Sequence, residues 1–345
     1  MNKVLKNKQE VRKISVIGAG SWGTALAGVL SGKGLRTVLW GHNEDHVLNL
    51  KKDRENRKYL PGFSFLPNLE VEYDLKEAAT GADVVCMVVP SHGYRAVFEK
   101  LIPYLKTGAF VVSAVKGIEN NTLMTMTQVM GNSLGSALTS KNLTLGVLSG
   151  PSFAKEVSQG LPTLVTVGCD ELEPAQFLQN VFGSEFFRVY AVQDMIGLEV
   201  SGALKNIVAI AAGICDGLGY GLNSRAALIT RGLAEITRMG VAMGADQATF
   251  SGLSGLGDLV LTCTGDLSRN RTVGLKLGEG KKLNQILDEM EMVAEGVKTT
   301  KSVHDLVSKM EVEMPILEQV YQILYKDKEC SKAVKDLLTR ELKVE

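Results

Sequence analysis

"KISVIGAGSWGTALAGVLSGKG" (Lys13–Gly34) holds the pattern on which the fold turns. Ile14 to Ile17 is a short apolar run that breaks into glycines, the signature of a strand buried on both faces. From Ser21 the composition becomes helical, and Gly34 supplies a stop. Between the two, Gly18, Gly20 and Gly23 spell G-x-G-x-x-G. At a strand-to-helix turn the first glycine permits the tight bend and the second lets a pyrophosphate approach the backbone. The third allows the helix to pack closely on the strand. The helix start then offers free N–H groups and a positive dipole end to phosphates. Glycines also mark ordinary turns. What favours a dinucleotide here is the setting, a βαβ unit with "RTVLWG" (Arg36–Gly41) as its second strand.

An NAD-selective site carries Asp or Glu at the end of that second strand, bonded to the ribose 2′-hydroxyl. Here the end reads Trp40, Gly41, His42, Asn43, and the acids Glu44 and Asp45 arrive late. No acid stands where it would repel a 2′-phosphate, so NADP is expected to be tolerated alongside NAD. His42 is either a contact to the adenosine ribose or phosphate or a solvated loop residue.

Outward from this unit, "ADVVCMVVPSHG", "AFVVSAVKGI", "LTLGVLSGPS" and "PTLVTVGC" read as further buried strands, with helices between them. A polar helical stretch after Gly41 is expected to end in a loop holding Pro61 and Gly62. That alternation predicts a parallel, doubly wound sheet with right-handed crossovers. Beyond about Asp194 the strands stop, and helix-like segments continue, interrupted by the glycine-rich "SGLSGLGD". The 345 residues exceed what one core usually serves. The expectation is therefore an α/β dinucleotide-binding domain over 1–193 and an all-α domain over 194–345.

Composition excludes several classes. The 38 basic and 38 acidic side chains cancel, so no global field draws the chain to nucleic acid or an anionic membrane. The five cysteines are scattered and never form CxxC, and the four histidines form no HExxH, so neither a disulfide framework nor a metal is expected. The N-terminal "MNKVLKNKQEVRK" is basic but lacks the apolar stretch of a signal peptide. A soluble cytoplasmic protein is the plain reading.

"GALKNIVAIAAG" (Gly202–Gly213) sets a lysine inside an otherwise apolar helix. Glu199, Lys205 and Asn206 make the run too polar at its centre for a simple membrane span. Lys205 either snorkels to the surface, or it is desolvated and thereby given a lowered pKa suited to proton transfer. "SRNRT" (Ser268–Thr272) follows a glycine-rich loop that carries Asp258. It is either a solvated basic turn or a phosphate site, since arginine's planar fork matches phosphate geometry.

The chain resembles, over essentially its whole length, the soluble NAD(P)-dependent glycerol-3-phosphate dehydrogenases of the bacterial type. The matching stretches are "VIGAGSWGTALA", "VVPSHG", "VKGIE", "SGPSFAKE", "GALKNIVAIAAG", "LITRGLAE", "GLGDLVLTCT", "SRNR", "VAEGV" and "EMPI". The resemblance implies a Rossmann-type N-terminal domain and a helical C-terminal domain like that of 6-phosphogluconate dehydrogenase. It implies reversible reduction of dihydroxyacetone phosphate to sn-glycerol 3-phosphate, feeding glycerophospholipid synthesis, and a homodimer. By position it makes Lys205 the general acid/base and Lys116 a substrate contact beside the reacting carbon and the cofactor. Asp258 binds substrate and orients Lys205, while Gly150 and Ser152 line the substrate site. Ser268, Arg269 and Asn270 hold the substrate phosphate, and Arg269 also touches the cofactor. Ser21, Trp22, His42, Ala154, Val293 and Glu295 join Gly18, Gly20 and Gly23 as cofactor contacts. Asn206 is a substrate or lysine partner.

The chemistry agrees with the resemblance. Ketone reduction builds negative charge on oxygen as hydride reaches carbon, so the site needs a proton and positive charge at that point. Two rivals share part of the pattern. A β-hydroxyacid dehydrogenase of the 6-phosphogluconate type has the same architecture, but its carboxylate substrates require another anion site than "SRNR". A nucleotide-sensing module would keep the first domain but have no use for Lys116, Lys205 and Asp258 together.

Overall fold

The computed structural model describes residues 11–290 and 294–342. The chain opens with β1 (Ile14–Ile17), α1 (Ser21–Gly32) and β2 (Thr37–Trp40). It continues through α2 (Glu44–Asp53), β3 (Glu55–Asn56), β4 (Leu60–Ser64), β5 (Leu69–Glu72), α3 (Leu75–Ala79), β6 (Val84–Met87) and α4 (Tyr94–Leu101). Then come β7 (Phe110–Ser113), α5 (Met126–Leu134), α6 (Ala137–Ser140), β8 (Thr144–Ser149), α7 (Ala154–Ser158), β9 (Thr163–Gly168), α8 (Leu172–Phe182) and β10 (Phe187–Val192). Eight of these strands form one sheet in the order β10-β9-β8-β7-β6-β1-β2-β5. Every residue of β1, β2 and β6 is buried, because helices cover both faces.

Two details depart from the sequence expectation. From β5 to β8 the strands run parallel, but β9 pairs antiparallel to β8 and β10 follows β9, so the sheet is mixed. Pro61 and Gly62 lie in β4, which pairs antiparallel with β3 as a separate two-stranded ribbon, rather than in a loop. Proline is tolerated there because such a ribbon has an open edge that needs no N–H. Gly62 takes φ +85°, and its N–H donates to Glu55 Oε1 at 2.8 Å.

After β10 the described chain is helical. α9 (Met195–Gly217) is the axis, capped by Asp194, whose side chain accepts from the Gly197 N–H at 2.8 Å. It is apolar nearly all round and therefore buried all round. By length and composition it could cross a membrane, yet its apolar window is wholly covered by the rest of the protein. Against it pack α10 (Leu222–Ala242), α11 (Asp258–Thr264), α12 (Arg269–Gly278), α14 (Glu295–Met310) and α15 (Pro315–Lys326), while α13 (Leu283–Asp288) and α16 (Cys330–Leu338) lie against α12. α9 and α12 meet backbone to backbone. A Cβ on Gly213 would collide with the Arg271 carbonyl, and one on Gly274 with the Ile210 carbonyl. Glycine at these points is what lets the first turn of α12 reach the level of Lys205.

Candidate active site

Lys205 faces inward from the middle of α9 and is 6 % exposed. Its Nζ donates to Asp258 Oδ1 at 2.6 Å and to Thr262 Oγ1 at 2.6 Å. Lys116, on the segment after β7, donates to the other oxygen of the same carboxylate, Asp258 Oδ2, at 2.7 Å, and to the Gly150 carbonyl at 2.9 Å. One buried aspartate thus bridges two lysines from opposite halves of the chain. Each ammonium spends two of its three N–H bonds on these partners and keeps one. Burial lowers the Lys205 pKa to about 8; the Asp258 charge resists the shift, and the Lys116 charge adds to it. Snorkelling is therefore not what Lys205 does.

Thr262 was not foreseen. It lies one turn after Asp258 on α11, and its hydroxyl donates to the Asp258 carbonyl at 2.6 Å. With its own hydrogen committed, that oxygen accepts from Lys205 and fixes where the remaining N–H bonds point. The i, i+4 spacing from Asp258 in "DLVLT" is the signal that could have found it. Asn206 departs from one of its two expected roles. Its amide reaches back to the Gly202 carbonyl at 3.4 Å rather than to Lys205.

The "SRNR" stretch sorts its cations sharply. Arg271 is consumed by Asp216 and Asp266, each at 2.9 Å. Arg269 makes no hydrogen bond or salt bridge to any described residue. Arg269 is exposed, yet the surrounding protein lowers its pKa, and nearby Glu295 opposes that. Ser268 is the N-cap of α12, accepting from the Arg271 N–H at 3.2 Å. Asn270 Oδ1 accepts from Gly296 N at 3.0 Å, which leaves its amide N–H bonds free to donate. A helix start, an uncommitted guanidinium and a free amide together suit a dianion. Glu295, at the start of α14, accepts from the Ser91 N–H of the "VVPSHG" loop at 3.1 Å. Burial raises its pKa. Val293 lies outside the described residues.

The glycine turn has the shape of a dinucleotide cradle. Gly18 takes φ +131°, where a Cβ would meet the Val88 carbonyl oxygen at 2.7 Å. A Cβ on Gly23 would collide with the Gly18 carbonyl, so α1 packs tightly on the turn. Gly20 has nothing within 4 Å of its Cβ position. That open face fronts the first turn of α1, which has neither a side-chain cap nor an acidic residue. Both features suit a pyrophosphate. The cradle sits between β1 and β6, where the strand order reverses. Ser21 is partly buried, its hydroxyl donating to the Tyr59 carbonyl at 2.7 Å. Trp22 and Ala154 pack half-buried against one core cluster, and His42 is exposed just past β2. Ser152 donates to the Gly150 carbonyl at 2.9 Å, the acceptor that Lys116 also uses.

Two family models match the chain. The NAD-dependent glycerol-3-phosphate dehydrogenase N-terminus covers residues 13–175, and the corresponding C-terminus covers 194–335. A glycerol-3-phosphate dehydrogenase (NAD(P)+) from Desulfotalea psychrophila is 59% identical, over 96% of this chain and 98% of its own length. One of the same name from Geobacter metallireducens is 55% identical, over 96% and 98%. The crystal structure of a glycerol-3-phosphate dehydrogenase from Coxiella burnetii superposes with TM-score 0.91 at 40% identity, over 96% of this chain and 99% of that one.

Proposed function

The chain belongs to the NAD-dependent glycerol-3-phosphate dehydrogenase family, and from that footing we propose that Lys205 is the acid with which it reduces its ketone substrate. The activity is NAD(P)-dependent interconversion of dihydroxyacetone phosphate and sn-glycerol 3-phosphate. The observation that carries the residue assignment is the Lys205–Asp258–Lys116 bridge, with one uncommitted N–H on each lysine. Two cations and one anion leave a net positive charge where the alkoxide forms. Lys205 aims its remaining proton at the carbonyl oxygen and delivers it as charge develops there. Lys116 steadies the same end of the substrate, and Asp258 and Thr262 hold the ammonium in place. Gly150 and Ser152 shape the wall behind Lys116, and Asn206 lines the site one residue beyond Lys205.

Ser268, Arg269, Asn270 and the first turn of α12 take the phosphate. NAD(P)H, when bound, supplies the hydride. Gly18, Gly20, Ser21, Trp22 and Gly23 cradle its pyrophosphate side, with His42 at the adenosine end. Ala154, Lys116, Arg269 and Glu295 line the cleft toward the nicotinamide, and Val293 precedes Glu295 in the chain. We also propose that the chain divides into units at 193/194, works as a cytoplasmic homodimer and supplies glycerophospholipid synthesis. The free cysteines support a reducing compartment.

The test is an NADH- and NADPH-oxidation assay with dihydroxyacetone phosphate. Because no acid follows β2 directly, kcat/KM with NADPH should lie within about tenfold of that with NADH, ~1.4 kcal/mol or less. Placing Asp at position 42 or 43 should shift preference toward NADH. A several-hundredfold wild-type preference for NADH would mean that another residue reads the 2′-hydroxyl.

A further inference from the structure

Glu199 is a carboxylate 4 % exposed, on the helix that carries Lys205, with no ion-pair partner among the described residues. Its oxygens accept from the Thr127 N–H at 2.7 Å and the Thr127 hydroxyl at 2.5 Å. Thr127 lies in the first turn of α5, in the other half of the chain. Burial raises the Glu199 pKa, and the bonds from Thr127 and the neighbouring α5 residues oppose the rise. A buried carboxylate is costly to keep unless its bonds do something that an apolar side chain could not.

The stretch that it holds leads back to the reacting end of the site. Lys116 and Gly117 run into Ile118, which bridges to Thr125, the N-cap of α5. The loop between them is closed by Glu119 N to Met124 O at 2.9 Å and Leu123 N to Glu119 O at 3.0 Å. Thr127, two residues past that bridge, is where Glu199 grips. On α9, Gly202 stands one turn beyond Glu199; a Cβ there would press on Lys116 Cγ at 3.1 Å. Lys205 follows three residues later. The Lys116 segment and its return are therefore tied to α9 at three successive levels: the Glu199 bonds to Thr127, the close approach of Lys116 to Gly202, and the link through Asp258 of α11 to Lys205.

We propose that Glu199 is a positioning residue for the reaction: it pins the return of the Lys116 loop to α9 and so sets the separation of the two lysines across Asp258. The inference rests on the assignment of Lys116 and Lys205 to the reacting end. Misplacement by about 1 Å from a remote change costs ~10²-fold in rate, so Glu199→Ala should lose kcat roughly 30- to 100-fold. The dissociation constant for NADH, read by fluorescence titration, and KM for dihydroxyacetone phosphate should move less than about threefold. Glu199→Gln, which can bond Thr127 in the same geometry, should recover to within roughly fivefold of wild type.

The alkaline break in the reduction pH profile should shift in Glu199→Ala by about half a unit or more, because the Lys116 charge acts on Lys205 through that separation. Thr127→Val should lower kcat in the same direction, and adding it to Glu199→Ala should cost little more. An alanine variant with near wild-type kcat, an unmoved pH break and only a lower Tm would overturn the proposal. Should Glu199→Ala fail to fold, Thr127→Val decides: threefold or more loss of kcat at unchanged Tm supports it, and unchanged kcat overturns it. Lys205→Ala is the companion control. An active Lys205→Ala enzyme would sink the underlying assignment, whereas an inactive one beside a fully active Glu199→Ala would sink only this inference.

Discussion

Lys205→Ala is expected to lower kcat for reduction of dihydroxyacetone phosphate by ~10²–10⁴, with NADH binding and fold retained. The size follows from losing a positioned acid at the atom where charge develops. Retention of the fold follows from the bridge: Asp258 keeps Lys116 at 2.7 Å, so no charge is orphaned. The sign of the linkage agrees. A lysine whose folded pKa is lowered from 10.5 to about 8 is a cost to the folded state below pH 8, and that cost fades as pH rises toward 10.5. Removing it at pH 7 relieves that cost and offsets part of the cavity left behind. Steady-state kinetics with a thermal melt and an NADH titration checks all three. A variant keeping more than about a tenth of wild-type kcat would remove Lys205 from the acid role.

Arg269→Ala should lower kcat/KM for dihydroxyacetone phosphate by roughly 30- to several-thousand-fold, or ~2–5 kcal/mol. Arg269 is the guanidinium of "SRNR" with no bonded partner among the described residues, whereas Arg271 is tied to Asp216 and Asp266. A charge-assisted bond to phosphate whose loss leaves the charge unpaired is worth that range. Part of the loss should appear in kcat, since binding at the remote phosphate holds the carbonyl in place. Phosphate-free dihydroxyacetone is the control. The wild type should turn it over very poorly, and the substitution should barely worsen that rate. Equal damage to both substrates would mean that Arg269 acts through the cofactor or the fold, and Lys116 would be the next phosphate candidate.

Much of the fold is legible in the sequence. The Gly18, Gly20 and Gly23 spacing reads directly from sequence, because a Cβ at Gly18 or Gly23 would collide with backbone and Gly20 leaves its face open. The lysine inside α9 was conspicuous because apolar helices rarely hold a charge. Strand direction was not legible: a buried run such as "TLVTVG" looks alike whether its neighbour is parallel or antiparallel, and β9 turned out to reverse. The β3–β4 ribbon was hidden because proline and glycine ordinarily signal a loop. β5 and β10 lie at the two edges of the sheet, where half-exposed alternation gives a weaker signal than a continuous apolar run. Thr262 and Glu199 were missed for a different reason. Each is bonded to a partner, Asp258 or Thr127, whose proximity depends on tertiary packing. The resemblance singles out Arg269 of the two arginines in "SRNR", and the physical ground for the choice, the hold of Asp216 on Arg271, depends on tertiary packing.

The most direct test is the pH dependence of kcat/KM in both directions on the same enzyme. The reaction takes up one proton on reduction, so the ratio of the two directions must change tenfold per pH unit; the enzyme decides where each limb bends. With Lys205 as the proton carrier, reduction should be flat below about 8 and fall above it, and oxidation should rise to about 8 and level off. Both bends should coincide, and both should vanish from the residual rate of Lys205→Ala. A shared bend near the range of an ordinary histidine, or a bend at about 8 that survives Lys205→Ala, would contradict the assignment of the proton to Lys205.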